Sequence, residues 1–272
     1  MKIAVSNIAW DNKHLPEYLK LLKKIDCSGI EIAPNIIWPE PIETSKEERQ
    51  KFKNVILKED LEIIGFHALL FSRPDLQLFE SAESRKATVN YLCKLIEVCS
   101  DLGGRQLIFG SPKNRKLHNK KYSECVDQIM EDFFQISEVG KKNNIFFCIE
   151  PLGPKETDFI KSLDEGGNIV NKINHPFLKL HMDTKALFAT KENPSDVLRK
   201  FQNIIQHVHI SDENLKEPGS INKDHRKIGK ALNEVGYSKY LSIEMRKPEK
   251  NVEEVIKRSV LFVKENYKIY KQ

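Results

Sequence analysis

Eight short apolar runs alternate with eight longer stretches of helical spacing, and this alternation limits the fold more than any other feature of the chain. The runs KIAVSNIAW, GIEIAP, EIIGFHALLF, RQLIFGSP, IFFCIEPL, FLKLHMD, IQHVHISD and YLSIEMR each read as a strand. Between and after them, helical periodicity covers 15–26, 46–59, 81–102, 122–143, 157–173, 195–203, 226–235 and 252–267. Strand then helix, eight times in 272 residues, is the arithmetic of an α/β protein of the (β/α)8 TIM-barrel class. A doubly wound open sheet competes with it, but no G-x-G-x-x-G or G-x-x-x-x-G-K-[ST] follows the first strand. With no linker or low-complexity segment, residues 1–272 read as one domain. Two strand-to-helix connections are long, 34–45 and 211–225, and are expected to cover the C-terminal mouth of the barrel.

Composition narrows the function classes. The net charge of +5 is spread over interleaved Lys and Glu with no basic block, which argues against nucleic acid as a partner. No apolar run approaches about 18 residues, so no membrane span is expected. Residues 1–10 lack the apolar region of a signal peptide, which points to the cytoplasm. Five cysteines without a C-x-x-C pair, most of them in apolar runs, read as reduced core residues rather than disulfides or a zinc knuckle.

In a barrel of this kind chemistry gathers where strands run into the following loops. His67, Glu150, Asp183, His209 and Glu244 stand at those ends, the last four on four consecutive strands. Strand side chains alternate, so stepping back two residues gives the next inward layer: Cys148, His181, His207 and Ser242. The opposite parity holds Ile149, Met182, Val208, Ile210, Ile243 and Met245, all suited to packing under helices. Three carboxylates converging with one imidazole repel one another unless some stay protonated or a cation sits among them. Taken singly, each residue is an ordinary polar group at a strand end. Taken together, with consistent parity, they favour a divalent ion. Oxygen ligands with one nitrogen suit Mn²⁺ first, then Mg²⁺ or Co²⁺, and Zn²⁺ less. Candidate substrate-binding residues are His181, Arg246, Lys113, Arg115, Asp224 and His225, the charged ones suited to a phosphate or carboxylate, and Trp10 as a pocket wall. Exposed loop charge and core packing are the competing readings for Lys113, Arg115 and Trp10.

At GIEIAP, CIEPLG, LHMDT, HVHISD and SIEMR the sequence resembles the xylose isomerase-like TIM-barrel superfamily of sugar and sugar-phosphate isomerases and epimerases, nearest its tagatose or psicose 3-epimerase branch. The intervals 183−150 = 33, 209−183 = 26 and 244−209 = 35 are similar to those of that branch. The resemblance implies that Glu150, Asp183, His209 and Glu244 ligate the metal, that Glu150 and Glu244 act as the acid/base pair, and that His67 stands beside the substrate. It also implies a carbohydrate substrate, proton transfer through a cis-enediolate, and assembly as a homodimer or homotetramer. Two positions depart from the branch pattern. Ala186 stands where a histidine is usual, and Leu215 stands where an arginine is usual. A metal-dependent lyase acting on a cyclic polyol or keto acid is the alternative on the same scaffold. An abasic-site nuclease would need histidines after the fourth and sixth strands, where FGSP and DTKA stand instead. A non-catalytic sugar-binding barrel has no need for the paired glutamates.

Overall fold

Parallel pairing closes the strands on themselves in chain order. The computed structural model describes residues 1–222 and 224–268. Its strands are β1 (Lys2–Ser6), β2 (Gly29–Ile32), β3 (Glu62–Phe66), β4 (Gln106–Phe109), β5 (Phe146–Ile149), β6 (Leu178–Asp183), β7 (Ile205–Ile210) and β8 (Tyr240–Ile243). The seam between β8 and β1 runs in register from Lys2 against Tyr240 to Val5 against Ile243. The TIM barrel expected from the alternation is therefore the fold.

Helix boundaries follow local capping chemistry. Ser45 and Glu48 form a reciprocal capping box at the start of helix Lys46–Leu57. Gly103, at φ 85°, ends helix Ala82–Leu102 in the left-handed region, which costs a glycine little. Two helix expectations are corrected. The fifth helix spans Leu163–Ile173 rather than beginning at 157, because Ser162 caps it by accepting from the Glu165 N–H. Phe159 and Ile160, which gave the stretch its helical look, are buried in an irregular segment instead. A helix at Thr184–Thr190, absent from the sequence reading, starts directly at the end of β6, where the Asp183 side chain caps the Lys185 N–H.

The outward positions read from strand parity are all fully buried: Ile149, Met182, Val208, Ile210, Ile243 and Met245. Helix Ala82–Leu102 lays Leu92, Leu95, Ile96 and Cys99 into the same shell. Each such aliphatic side chain contributes roughly 1.5–3 kcal/mol by leaving water. All five cysteines are free. The connection 67–81 is also long, since β3 stops at Phe66 while Leu69 and Leu70 tuck inward beyond it.

Candidate metal centre

Along the barrel axis the interior is polar. Glu150, Asp183, His209 and Glu244 each offer a ligand atom, and these atoms lie within 4.8 Å of one another. Each sits within one residue of the C-terminal end of its strand, so the four inward vectors meet at one level. Gly110, after β4, lies against the Glu150 carboxylate, where a Cβ would collide with it.

The layer beneath holds a residue that the sequence reading missed. Glu31 on β2 is fully buried; His209 Nε2 donates to its Oε2 at 2.9 Å and Ser242 Oγ donates at 2.6 Å. His207 Nε2 stands 3.1 Å from its other oxygen. Burial pushes the Glu31 carboxyl up, but the neighbouring His209 and His207 outweigh it and hold it well below the usual range. His209, desolvated but flanked by Glu31 and Glu244, is raised well above an ordinary imidazole. With Nε2 committed to Glu31, its Nδ1 faces Glu244 Oε2 at 3.3 Å.

Glu244 is braced from the other side by His67, whose Nδ1 lies 3.0 Å from Oε1 and whose Nε2 lies 2.6 Å from Ser6 Oγ. Burial raises the Glu244 carboxyl, yet the charge and hydrogen bonds of His209 and His67 hold it well below its ordinary value. Glu150 has no imidazole partner of this kind, and burial drives it up to about 8 against the pull of Lys185. Lys185 was not foreseen either. Its ammonium donates to Asp183 Oδ2 and lies 3.7 Å from Glu150 Oε1. Asp183 Oδ1 accepts from the Lys185 N–H at 2.9 Å and from Ser211 Oγ at 2.6 Å.

The remaining candidates scatter. His181 is fully buried one layer down, packed edge-on to His209 with centroids 4.1 Å apart. Burial and the two neighbouring histidines lower its pKa well below the ordinary value. Lys113 is exposed. Arg115, by contrast, is fully buried: its Nη1 donates to the Glu150 main-chain carbonyl at 2.9 Å, and its guanidinium lies 6.0 Å from the Phe109 ring centroid. Burial lowers its pKa to about 10. Asp224 is an exposed ion-pair partner of Lys227 at 3.3 Å. His225 is a core residue enclosed by Phe188, Phe262 and Tyr267, its Nδ1 2.9 Å from the Tyr267 hydroxyl. Trp10 is buried and stacked on Tyr18 with ring centroids 5.1 Å apart. Arg246 is exposed at the rim, where its backbone N–H ties to the Leu215 carbonyl at 2.8 Å. Ala186 is buried and Leu215 half-buried, so neither supplies a polar group at the mouth.

A cavity of about 400 Å³ opens at the opposite, N-terminal end, lined by Lys2, Glu62, Arg105, Gln206, Lys239 and Tyr240 among others. It approaches the stack from beneath, at Gln106 and His207, and is separate from the carboxylate cluster.

Residues 19–266 match the family described as xylose isomerase-like TIM barrel. The chain belongs to this family. Over 242 residues it is 19% identical to a D-psicose 3-epimerase of Enterocloster bolteae, covering 87% of this chain and 79% of that protein. It is 25% identical over 112 residues to the D-psicose 3-epimerase of Ruminiclostridium cellulolyticum, spanning only 38% of that relative's length. Among solved structures, a D-psicose 3-epimerase in the presence of D-fructose superposes with a TM-score of 0.82 at 16% identity, over 98% of this chain and 99% of the other. A 3-keto-D-glucoside 4-epimerase from E. coli gives 0.83 at 16% identity, over 97% and 99%. At these identities the superpositions show a shared fold.

Proposed function

We propose that this family member is a divalent-metal-dependent epimerase or isomerase of a sugar or sugar derivative. In this reading Glu150, Asp183, His209 and Glu244 hold the ion, Mn²⁺ by preference, and Glu150 and Glu244 transfer the proton. The donor set fits such an ion: three carboxylates and one imidazole, with Glu244 Oε2 and His209 Nδ1 both buried and facing each other at 3.3 Å. A bound divalent ion supplies Lewis acidity toward a ketose carbonyl and its neighbouring hydroxyl.

The protein's own groups account for the rest. Glu31 and His67 fix His209 and Glu244 in place before substrate arrives. Ionised Glu244 is suited to accept a proton from the carbon beside the carbonyl, and Glu150, whose burial favours the protonated form, is suited to hold one at its carboxyl. Return of a proton to the opposite face inverts the carbon, while return to the adjacent carbon interconverts ketose and aldose.

One observation carries the assignment of this pair. Glu150 and Glu244 are 7% and 8% exposed, whereas His209, Glu31, His181 and His207 are at 0%, so the two glutamates stand on the solvent side of the stack. The relatives named as D-psicose 3-epimerases support a small carbohydrate as partner. Free cysteines fit a reducing cytoplasm, and no described helix is long and apolar enough to cross a membrane. Elemental analysis followed by proton exchange in deuterated water across a panel of ketoses, their phosphates and related acids tests the proposal. Stoichiometric metal and exchange that stops on metal removal are expected. A metal-independent exchange, or none with any member of the panel, would overturn it.

A further inference from the structure

We propose that Lys185 is a resident cation of the ligand shell, bound at the carboxylate oxygen that an incoming divalent ion has to take, so that metal entry displaces its ammonium from Asp183. The inference rests on the metal-binding reading given above and concerns a residue outside that ligand set.

Geometry leaves Asp183 one oxygen for an incoming ion, and the Lys185 ammonium already sits on it. Each carboxylate oxygen has two lone pairs. On Oδ1 both are used, by the Lys185 N–H at 2.9 Å and by Ser211 Oγ at 2.6 Å. These contacts cap helix Thr184–Thr190 and tie β6 to the segment after β7, so Oδ1 is a structural atom. The other oxygen, Oδ2, receives the Lys185 ammonium, which also lies 3.7 Å from Glu150 Oε1. The Lys185 side chain is 8% exposed, so its charge is compensated inside the cluster rather than by solvent. An ion ligated by both Glu150 and Asp183 would have to sit between the same two carboxylates.

The sequence makes this arrangement local. Asp183 caps the helix, Lys185 is its second residue, and the cap turns the lysine stem back over the carboxylate. An ammonium on a flexible four-carbon stem can withdraw where a guanidinium fork would resist. Glu156, exposed on the loop after β5 and within electrostatic reach of Lys185, is the next carboxylate available to it. Like charges repel, so Lys185 lowers the affinity for a divalent ion, and its attraction to Asp183 stabilises the metal-free protein.

The test is Lys185→Met in the full chain, which keeps stem length and removes the charge. The Mn²⁺ dissociation constant is measured by competition with a fluorescent chelator, and thermal unfolding is followed with EDTA and with Mn²⁺. The proposal expects Mn²⁺ to bind at least tenfold more tightly and the EDTA midpoint to fall while the Mn²⁺ midpoint does not. A variant that folds only with Mn²⁺ supports it equally. Unchanged or weaker Mn²⁺ binding overturns it while leaving the metal reading intact. If Lys185→Met does not fold under either condition, Lys185→Gln is read by the same two criteria. A wild-type protein that binds no divalent ion defeats the metal reading itself, and this inference with it.

Discussion

Replacing Glu31 tests whether the residue beneath the cluster governs the cluster. Its carboxylate is fully buried between His209 Nε2 at 2.9 Å, His207 Nε2 at 3.1 Å and Ser242 Oγ at 2.6 Å. The bond to His209 fixes which ring nitrogen faces Glu244, and a carboxylate behind a ligating imidazole is worth about 10–100-fold in metal affinity. That range corresponds to roughly 1.4–2.7 kcal/mol. Stability responds separately, because breaking a buried ion pair by removing one partner costs about 3–5 kcal/mol. Glu31→Gln keeps the shape and one carbonyl acceptor for His209, so it belongs at the lower end, and Glu31→Leu at the upper. Chelator competition for Mn²⁺ gives the first quantity and urea unfolding of the metal-free protein gives the second. A Glu31→Gln protein with wild-type Mn²⁺ affinity would refute the idea that Glu31 orients His209 for ligation. Unchanged urea stability in Glu31→Leu would refute the idea that the interior pair is coupled at all.

Glu150→Gln and Glu244→Gln are each expected to lower the turnover of the responsive sugar by about 10²–10⁴-fold, the worth of a positioned acid or base, with Mn²⁺ content measured alongside. Gly110→Ala would force a methyl against the Glu150 carboxylate, and a fall in exchange rate larger than any fall in thermal midpoint is the expected signature. Asp212 organises the loop after β7, its carboxylate accepting from the Ile221 N–H at 2.9 Å and the Asn222 side-chain amide at 2.9 Å. Burial raises its pKa, but His225 and these donors outweigh the burial and hold it below the usual carboxylate value. A depressed folded-state pKa means stability that is complete above the unfolded value of about 3.9 and is lost as pH falls toward the folded one. Urea midpoints taken from about pH 6 down to about pH 3 should therefore drop less steeply for Asp212→Asn than for wild type, and parallel curves would exclude the loop carboxylate from the acid transition.

The barrel was legible because period-two burial and helical spacing are local signals, and β5 to β8 carry them cleanly. The convergence of Glu150, Asp183, His209 and Glu244 was legible for the same reason, since parity decides inward from outward. Glu31 obeyed a rule already applied elsewhere: a lone carboxylate between Ile30 and Ile32 in a fully buried strand carries the same desolvation question as Glu150 after Ile149. It stands one residue before its strand's end, as His209 does, but stepping back two gives Gly29, so β2 offers no second inward polar group to mark the parity. Lys185 was hidden for a different reason, because a helix cap turns it inward and strand parity does not reach that far. His225 and Asp224 are adjacent in a loop, yet one is enclosed by Phe188, Phe262 and Tyr267 and the other faces water; contacts that distant in sequence leave no local trace.

The charge pattern of the finished interior is asymmetric around the barrel. Glu31 lies between His207 and His209, and Glu244 between His209 and His67, so the carboxylates of β2 and β8 are each flanked by imidazoles. Glu150 and Asp183, at the ends of β5 and β6, share the ammonium of Lys185 instead. An imidazole can lose its proton and remain in place as a ligand or acceptor, whereas an ammonium has no ligand role while it stays charged. On the metal-binding reading, the β8 side would adapt to an arriving divalent ion by releasing the His209 proton, and the β5–β6 side by moving a side chain. That difference locates the structural change on metal binding at Lys185 and the first turn of helix Thr184–Thr190, where amide exchange of the metal-free and Mn²⁺-loaded protein should differ most. Equal protection there, with the change confined to β8, would reverse the assignment.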